Sequence, residues 1–357
     1  MKTIQTDMAG RILVLLAMFV IIITGIKIAS VIVVPFLLSL FIAIISSPAL
    51  FWLKDRGLSS GLATIVVICL IIAGGILILR LIGTSLEQFS DNVAVYREKL
   101  NLLSLEIVKY TERYNLDFSI RGLSKYVNPG DVFTLTGTLL NSFGSLLSNI
   151  FLILLTVIFM LLEASDFPDK LRRMVRNPED TVRRFGSIAD NVKHYLAIKT
   201  LTSVITAALV TLGLMLLNVD FPYLWGFLAF FLNFVPNIGS IIAAVPAILI
   251  ALIDQGTGTA FWTAFLYLAI NNLVGNFLEP KLLGHRLGLS TLVIFISLIF
   301  WGWVLGPVGM FLSVPLTMTA KIIVENHPNS NWLAVLMGPP GEDDSVTETA
   351  DNDKKVV

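Results

Sequence analysis

Six residues stand where polar side chains are least at home, in or at the ends of long apolar runs: Asn233, Asn237, Asn271, Asn272, Asn276 and Glu279. A carboxamide offers both a donor and an acceptor without the desolvation cost of a charge, so a group of them in an apolar setting suits contact with a neutral polar solute. The same amides can instead tie helices together. Asn272 and Asn276 are four apart and share one face if their segment is helical. Glu279 is followed by Pro280 and Lys281. It reads either as half of an interfacial pair that anchors a hairpin or as a carboxylate that couples or gates ion movement.

Other chemistry has no comparable footing. There is no Gly-x-x-x-x-Gly-Lys-Ser/Thr phosphate loop and no readable Ser/His/Asp or Cys/His arrangement. A single cysteine, Cys69, excludes a disulfide framework and a Cys-rich metal site. Three scattered histidines, His194, His285 and His327, argue against a zinc cluster. The sequence therefore predicts no enzyme, no metal and no cofactor. Passive or secondary transport is the first reading, with an intramembrane enzyme or a scaffold behind it.

Composition fixes the surroundings of these residues. The 357 residues are 55% hydrophobic and 14% charged, against about 25% charged in a soluble domain. The 25 Lys and Arg balance the 25 Asp and Glu, which leaves no net charge to attract nucleic acid. An integral membrane protein is what remains.

A helix needs roughly 20 mostly apolar residues to cross a hydrocarbon core about 30 Å thick. Six stretches qualify or nearly so: 12–26, 31–53, 62–83, 146–162, 198–217 and 259–277. Two longer stretches do not read as straight spans. Residues 221–253 are interrupted by Pro236-Asn237-Ile238-Gly239, and residues 289–320 by Gly306-Pro307-Val308-Gly309. The arms 222–235 and 240–253 have 14 residues each, about 21 Å of helix, too short to cross and suited to a re-entrant hairpin. Proline removes a backbone donor and glycine permits a tight turn, so Pro236, Gly239, Pro307 and Gly309 are the expected backbone breaks. Trp225-Gly226 and Val245-Pro246 around the first break have a faint echo in Trp301-Gly302 and Val314-Pro315 around the second. Transporters often place a site between two such repeats.

The expected fold is an all-α polytopic membrane protein with about six crossings, two broken or re-entrant helical hairpins and a helical extracytoplasmic loop. Lys2, Arg11, Lys54, Arg56, the basic residues between 163 and 199, Lys281, Arg286 and Lys321 all fall on one side in this layout. By the positive-inside rule both termini are cytoplasmic. Organisation follows as amino-terminal spans over 1–83, an extracytoplasmic amphipathic segment over 84–145 and a span over 146–162. A basic cytoplasmic helical segment (163–197), a transmembrane core (198–324) and a tail (325–357), disordered after about 338, complete it. Leu86, Phe89, Val93, Tyr96, Leu100, Leu103, Ile107, Tyr110 and Tyr114 form a heptad seam in the outer segment. That seam packs either on its own chain or between subunits. Pro178, after Asn177 and before Glu179-Asp180, marks a helix start in the inner segment. The basic residues there suit anionic lipid headgroups.

The motifs Asn233-Phe-Val-Pro236-Asn237-Ile-Gly239, Asn276-Phe-Leu-Glu279-Pro280-Lys-Leu-Leu-Gly284 and Trp301-Gly302-Trp-Val-Leu-Gly306-Pro307-Val-Gly309-Met resemble those of the autoinducer-2 exporter family, over roughly residues 1–337. The resemblance implies export of autoinducer-2, a small furanone-derived polyol, across the bacterial inner membrane. It also implies a homo-oligomer, a ring of subunits such as a pentamer. Some family members are regarded as sodium/proton antiporters, which keeps that activity as the alternative, with a non-transporting scaffold or receptor behind it. An antiporter should want a committed carboxylate in mid-span. Here only Glu163 and Glu279 are candidates and neither lies there, so the neutral amides favour a neutral solute.

Overall fold

The computed structural model describes residues 8–113, 137–138, 149–164, 170, 178–236, 238–283, 288–325 and 331–338. Apolar runs without competing strand signals become helices, and the described residues contain no strand. In chain order these are α1 (Met8–Ile28), α2 (Ser30–Asp55), α3 (Ser60–Arg113), α4 (Ile150–Ala164), α5 (Pro178–Leu216), α6 (Pro222–Leu232) and α7 (Gly239–Gln255). Next comes α8 (Thr257–Ile270), continued by a π-helical segment (Asn271–Leu278) and the short α9 (Glu279–Leu283). The last two are α10 (Thr291–Glu325) and α11 (Asn331–Met337).

Among the described residues, five helices are long and apolar enough to cross a membrane, namely α2, the first part of α3 (Ser60–Phe89), the second part of α5 (Asp190–Leu216), the stretch Thr257–Leu283, and α10. Leu16–Ile28, α4, α6 and α7 are apolar but shorter. Large apolar side chains such as Leu62, Ile65, Leu70, Ile76 and Leu77 on α3 are exposed. In water so much exposed hydrocarbon would drive association, whereas lipid tails are its natural partner. The chain is a multi-pass membrane protein.

Length alone overstates α10. Gly306 has φ 69° and ψ −154°, outside helical geometry, a conformation in which glycine alone is unstrained. Trp301 Nε1 donates to Thr317 Oγ1 at 3.1 Å, yet sixteen residues of straight helix would separate them by roughly 24 Å. The chain therefore folds back at Gly306, and α10 is two packed arms. The other broken stretch behaves alike: α6 and α7 are separated by a turn that ends at Gly239, and the two helices pack together. In both hairpins a tip glycine lies against a carbonyl of the preceding arm. A Cβ on Gly239 would overlap the Leu232 carbonyl oxygen, and one on Gly309 would overlap that of Trp301. The two hairpin tips also approach each other. Phe234, two residues before Pro236, lies 4.2 Å by ring centroid from Phe311, two residues after Gly309; Phe234 is buried in one cluster with Phe41 and Val308, and the half-buried Phe311 packs against it.

The core is divided accordingly. One cluster unites α5, the α6–α7 hairpin and α8, with Trp225, Leu224, Leu228 and Ile250 fully buried. Another joins α2, α3 and α4 around Leu50, Val157 and Leu161, where Ser39 Oγ also donates to the Ile153 carbonyl at 3.2 Å.

Helix α3 has 54 residues, about 81 Å, so it runs uninterrupted far beyond any bilayer core. Of the heptad residues, Phe89 and Tyr96 are buried. Phe89 packs edge-on against Trp225 (5.4 Å) and Phe221 (5.9 Å), and Tyr96 against Phe221 (6.3 Å). At these positions the seam meets its own chain. Tyr114, Asn177 and the tail after Gly338 lie outside the described residues, and so do the side chains of Leu86, Val93, Leu100, Leu103, Ile107 and Tyr110.

A polar seam as the candidate functional site

Polar residues on α5 recur at helical spacing: Lys199, Ser203 and Thr206, with Val210 next on the same face. The facing stretch carries Tyr267, Asn271, Gly275 and Glu279, each four residues after the last. In a pure α-helix, steps of four drift about 40° each around the axis. The π segment has a wider turn, closed by i→i+5 bonds, and takes out that drift. Glu279 thereby stays in line with Asn271 and Tyr267. Glycine at 275 keeps room for its neighbour, since a Cβ there would lie 3.1 Å from Asn271 Oδ1.

One end of the seam is an ion pair. Lys199 Nζ donates to Glu279 Oε1 at 2.6 Å, with side chains 4% and 16% exposed. The partner suggested by sequence proximity, Lys281, is instead exposed and lies 5.8 Å from the centre of the Phe277 ring. The expected Glu279–Lys281 pair is replaced because Glu279 faces α5 while Lys281 faces outward. Lys199, which reads as a snorkelling residue at a span end, is buried.

One turn along, Asn233 Nδ2 donates to Ser203 Oγ at 3.0 Å, which brings the end of α6 into the seam. Beyond it lies a small cavity lined by Thr206, Asn233, Ser240, Ala243, Tyr267 and Asn271, among others. Its free space is on the order of a single water molecule. Thr206 and Tyr267 are 7% and 5% exposed, and neither hydroxyl has a hydrogen-bond partner among the described residues.

The sequence-predicted residues therefore divide. Asn233, Asn271 and Glu279 converge on the seam. Asn272 and Asn276 do not: both are exposed on an adjoining outward face, where Asn276 Nδ2 donates to Asn272 Oδ1 and Asn272 Nδ2 to the Leu268 carbonyl, each at 2.9 Å. Asn237 lies outside the described residues. Pro236 and Gly239 form the turn at the first hairpin tip, and Pro307 and Gly309 follow the fold-back at the second. Sequence reasoning missed Lys199, Ser203, Thr206 and Tyr267. The 4, 3 spacing of the first three was the available signal.

A second polar cluster lies at the far end of the molecule. Tyr96 Oη donates to Asp220 Oδ2 at 3.4 Å, and Lys99 Nζ to Asp254 Oδ1 at 3.0 Å. Trp225 Nε1 donates to the Asp220 carbonyl at 2.8 Å, and Gln255 Nε2 to that of Asn218. The first two bonds clasp the projecting part of α3 onto the loop before α6 and the last turn of α7, and the other two tie that loop to α6 and α7. Partial burial, then the Asp254 carboxylate, push the Asp220 carboxyl above the ordinary range, against weaker opposing effects of Tyr96 and Lys99. Burial first, then Asp254 and Asp220, push the Tyr96 phenol up as well, so it stays a donor.

Comparison with known proteins places this geometry in context. The family described as AI-2E family transporter matches residues 16–329. The AI-2 transport protein TqsA of Escherichia coli K12 is 40% identical over 94% of this chain and 98% of its own length. The putative transport protein YhhT of the same organism is 38% identical over 95% of this chain and 97% of its own. A putative transport protein of Borreliella burgdorferi is 29% identical over 76% of this chain and 75% of its own.

Proposed function

The chain belongs to the AI-2E family of transporters, and on that premise we propose that it exports autoinducer-2 across the bacterial inner membrane, with both termini in the cytoplasm. The observation that carries the reading is the seam between α5 and Thr257–Leu283. Its middle is neutral, built of Asn233, Asn271, Ser240, Thr206 and Tyr267, and it sits where a re-entrant hairpin can open and close it. Neutral amides and hydroxyls suit an uncharged polyol better than a bare ion, which in a low-dielectric site needs an opposite charge. The similarity to a relative named for AI-2 transport supports the same solute.

Asn233 and Asn271 line the path. Pro236, Gly239, Pro307 and Gly309 hold the hairpin breaks that let it change shape. Glu279, locked to Lys199, closes the end of the seam nearer the basic loops and acts as a gate. Asn237 is assigned to the same path by its place in the sequence, between Pro236 and Ile238. Asn272 and Asn276 serve contacts between copies of the chain, because a polar amide pair on an outward face is poorly solvated by lipid. That face supports the homo-oligomer, a ring of subunits, that the family resemblance implies.

The test is flux of labelled autoinducer-2 in proteoliposomes, with and without proton or sodium gradients. Movement that Asn233→Ala abolishes supports export, and gradient dependence identifies a coupled ion. Sodium-dependent proton flux with no movement of the signal would favour antiport, with Glu279 at its centre.

A further inference from the structure

Four hydroxyls are buried without a hydrogen-bond partner among the described residues: those of Thr200, Thr206, Thr263 and Tyr267. An orphaned hydroxyl in a membrane interior is left with its full desolvation cost, so a pair of them beside one cavity points to a partner that enters it. Thr206 on α5 and Tyr267 on α8 are that pair. They come from two different helices and share the cavity with the Asn233 and Asn271 side chains and with Ser240 at the start of α7.

We propose that this cavity is a binding site for a neutral, hydroxyl-bearing solute, and that Thr206 and Tyr267 are the residues that recognise its hydroxyl groups. The inference deepens the transport reading above and rests on it for the direction of movement only. A solute hydroxyl must both donate and accept. Thr and Tyr hydroxyls do both, and an amide supplies a separate donor and acceptor. No carboxylate or cation is among the lining residues, so neither a bare cation nor an anion finds a counter-charge. A site built to bond hydroxyls rejects analogues that lack them, because its own buried polar groups are then left unpaired.

The cavity is narrow as it stands, with space for about one water. Solute enters when the α6–α7 hairpin draws away from α5 and α8. That hairpin is packed tightly in this arrangement: a Cβ on Gly226 of α6 would overlap the Thr211 hydroxyl of α5. Asn233, bonded to Ser203, moves with it, which links occupancy of the cavity to the part of the seam next to the Lys199–Glu279 pair.

The test is equilibrium binding of labelled autoinducer-2, and separately of labelled erythritol, to the full chain in lipid nanodiscs. Thr206→Val and Tyr267→Phe remove one hydroxyl each with little change of shape. Thr263→Val removes an equally buried, equally unpartnered hydroxyl that does not line the cavity. Each cavity variant is expected to weaken binding of the probe that wild type binds by about tenfold or more, with Thr263→Val matching wild type. Wild-type binding of either probe that both cavity variants leave unchanged overturns the site. Binding of erythritol but not autoinducer-2, lost in the cavity variants, upholds the site and overturns the choice of signal. Binding of neither probe overturns the site.

Discussion

Lys199 and Glu279, eighty positions apart in the chain, meet at 2.6 Å and join α5 to the end of the π segment in a nearly dry contact. Removing one partner of a buried pair leaves the other charge uncompensated, at a cost of about 3–5 kcal/mol. Lys199→Met and Glu279→Gln should therefore each lower thermal stability in detergent. The double variant Lys199→Met/Glu279→Met should recover most of that loss, since an apolar pair of similar volume is tolerated. Recovered stability with flux that no longer responds to pH or gradient would identify the pair as the gate. Recovered stability with wild-type flux would reduce it to a structural tie.

The two groups of asparagines separate by consequence. Asn233→Ala and Asn271→Ala should reduce flux about tenfold or more while the protein inserts normally, because both line the cavity. Asn272→Leu and Asn276→Leu should leave flux per assembled protein within about twofold. Their outward amide ladder instead predicts a lower oligomer mass, read by native mass spectrometry, as an interhelical amide contact is worth on the order of 1 kcal/mol. Equal loss of flux from all four variants would contradict the division.

This division shows what the sequence could and could not carry. The helices and both hairpin breaks were legible from hydropathy and from proline and glycine placement, and Asn233, Asn271 and Glu279 stood out as polar residues in apolar runs before the structure brought them to one seam. The facing of Asn272 and Asn276 was not. They share a face with each other, as four-residue spacing requires, but which face is set by the π register of 271–278, and no residue type marks that register. Lys199 was missed for a different reason: Lys281 is two residues from Glu279 and Lys199 is eighty, so only tertiary packing decides between them. Thr206 and Tyr267 are ordinary residues of membrane spans, and their importance lies in the lack of a partner. The heptad seam was legible, yet only tertiary structure shows that Phe89 and Tyr96 spend it on Phe221 and Trp225.

At the hairpin tips the constraint is steric. Gly239→Ala and Gly309→Ala would each push a methyl into a backbone carbonyl of the preceding arm, which cannot rotate away as a side chain could. Overpacking of this kind costs about 1–3 kcal/mol or more. Gly306→Ala is strained for another reason, its φ of 69°, and nothing lies near its missing side chain. All three should lower the midpoint of thermal unfolding. Gly258→Ala, with open space around it and no positive φ, should leave it unchanged or raise it.

The clasp on α3 should respond to pH through Asp220. Its carboxyl is held above the ordinary value in the folded protein, chiefly by burial and by Asp254, so the folded state binds the proton more tightly than the unfolded state. For a raised acid the contribution to stability is most favourable below the unfolded pKa and falls as pH rises through the folded one. The groups facing it are Tyr96 and Lys99 from α3 and Asp254 in the last turn of α7. Amide protection around Tyr96 and Asp220, corrected for the intrinsic pH dependence of exchange, should thus be greater in mildly acid solution than at neutral pH. Asp220→Asn keeps an acceptor for the Tyr96 hydroxyl and removes the charge facing Asp254, so it should abolish the pH dependence and slow exchange at neutral pH. Faster exchange in Asp220→Asn at every pH would show that the carboxylate's attraction to Lys99 outweighs its repulsion by Asp254, and the sign of the effect would reverse.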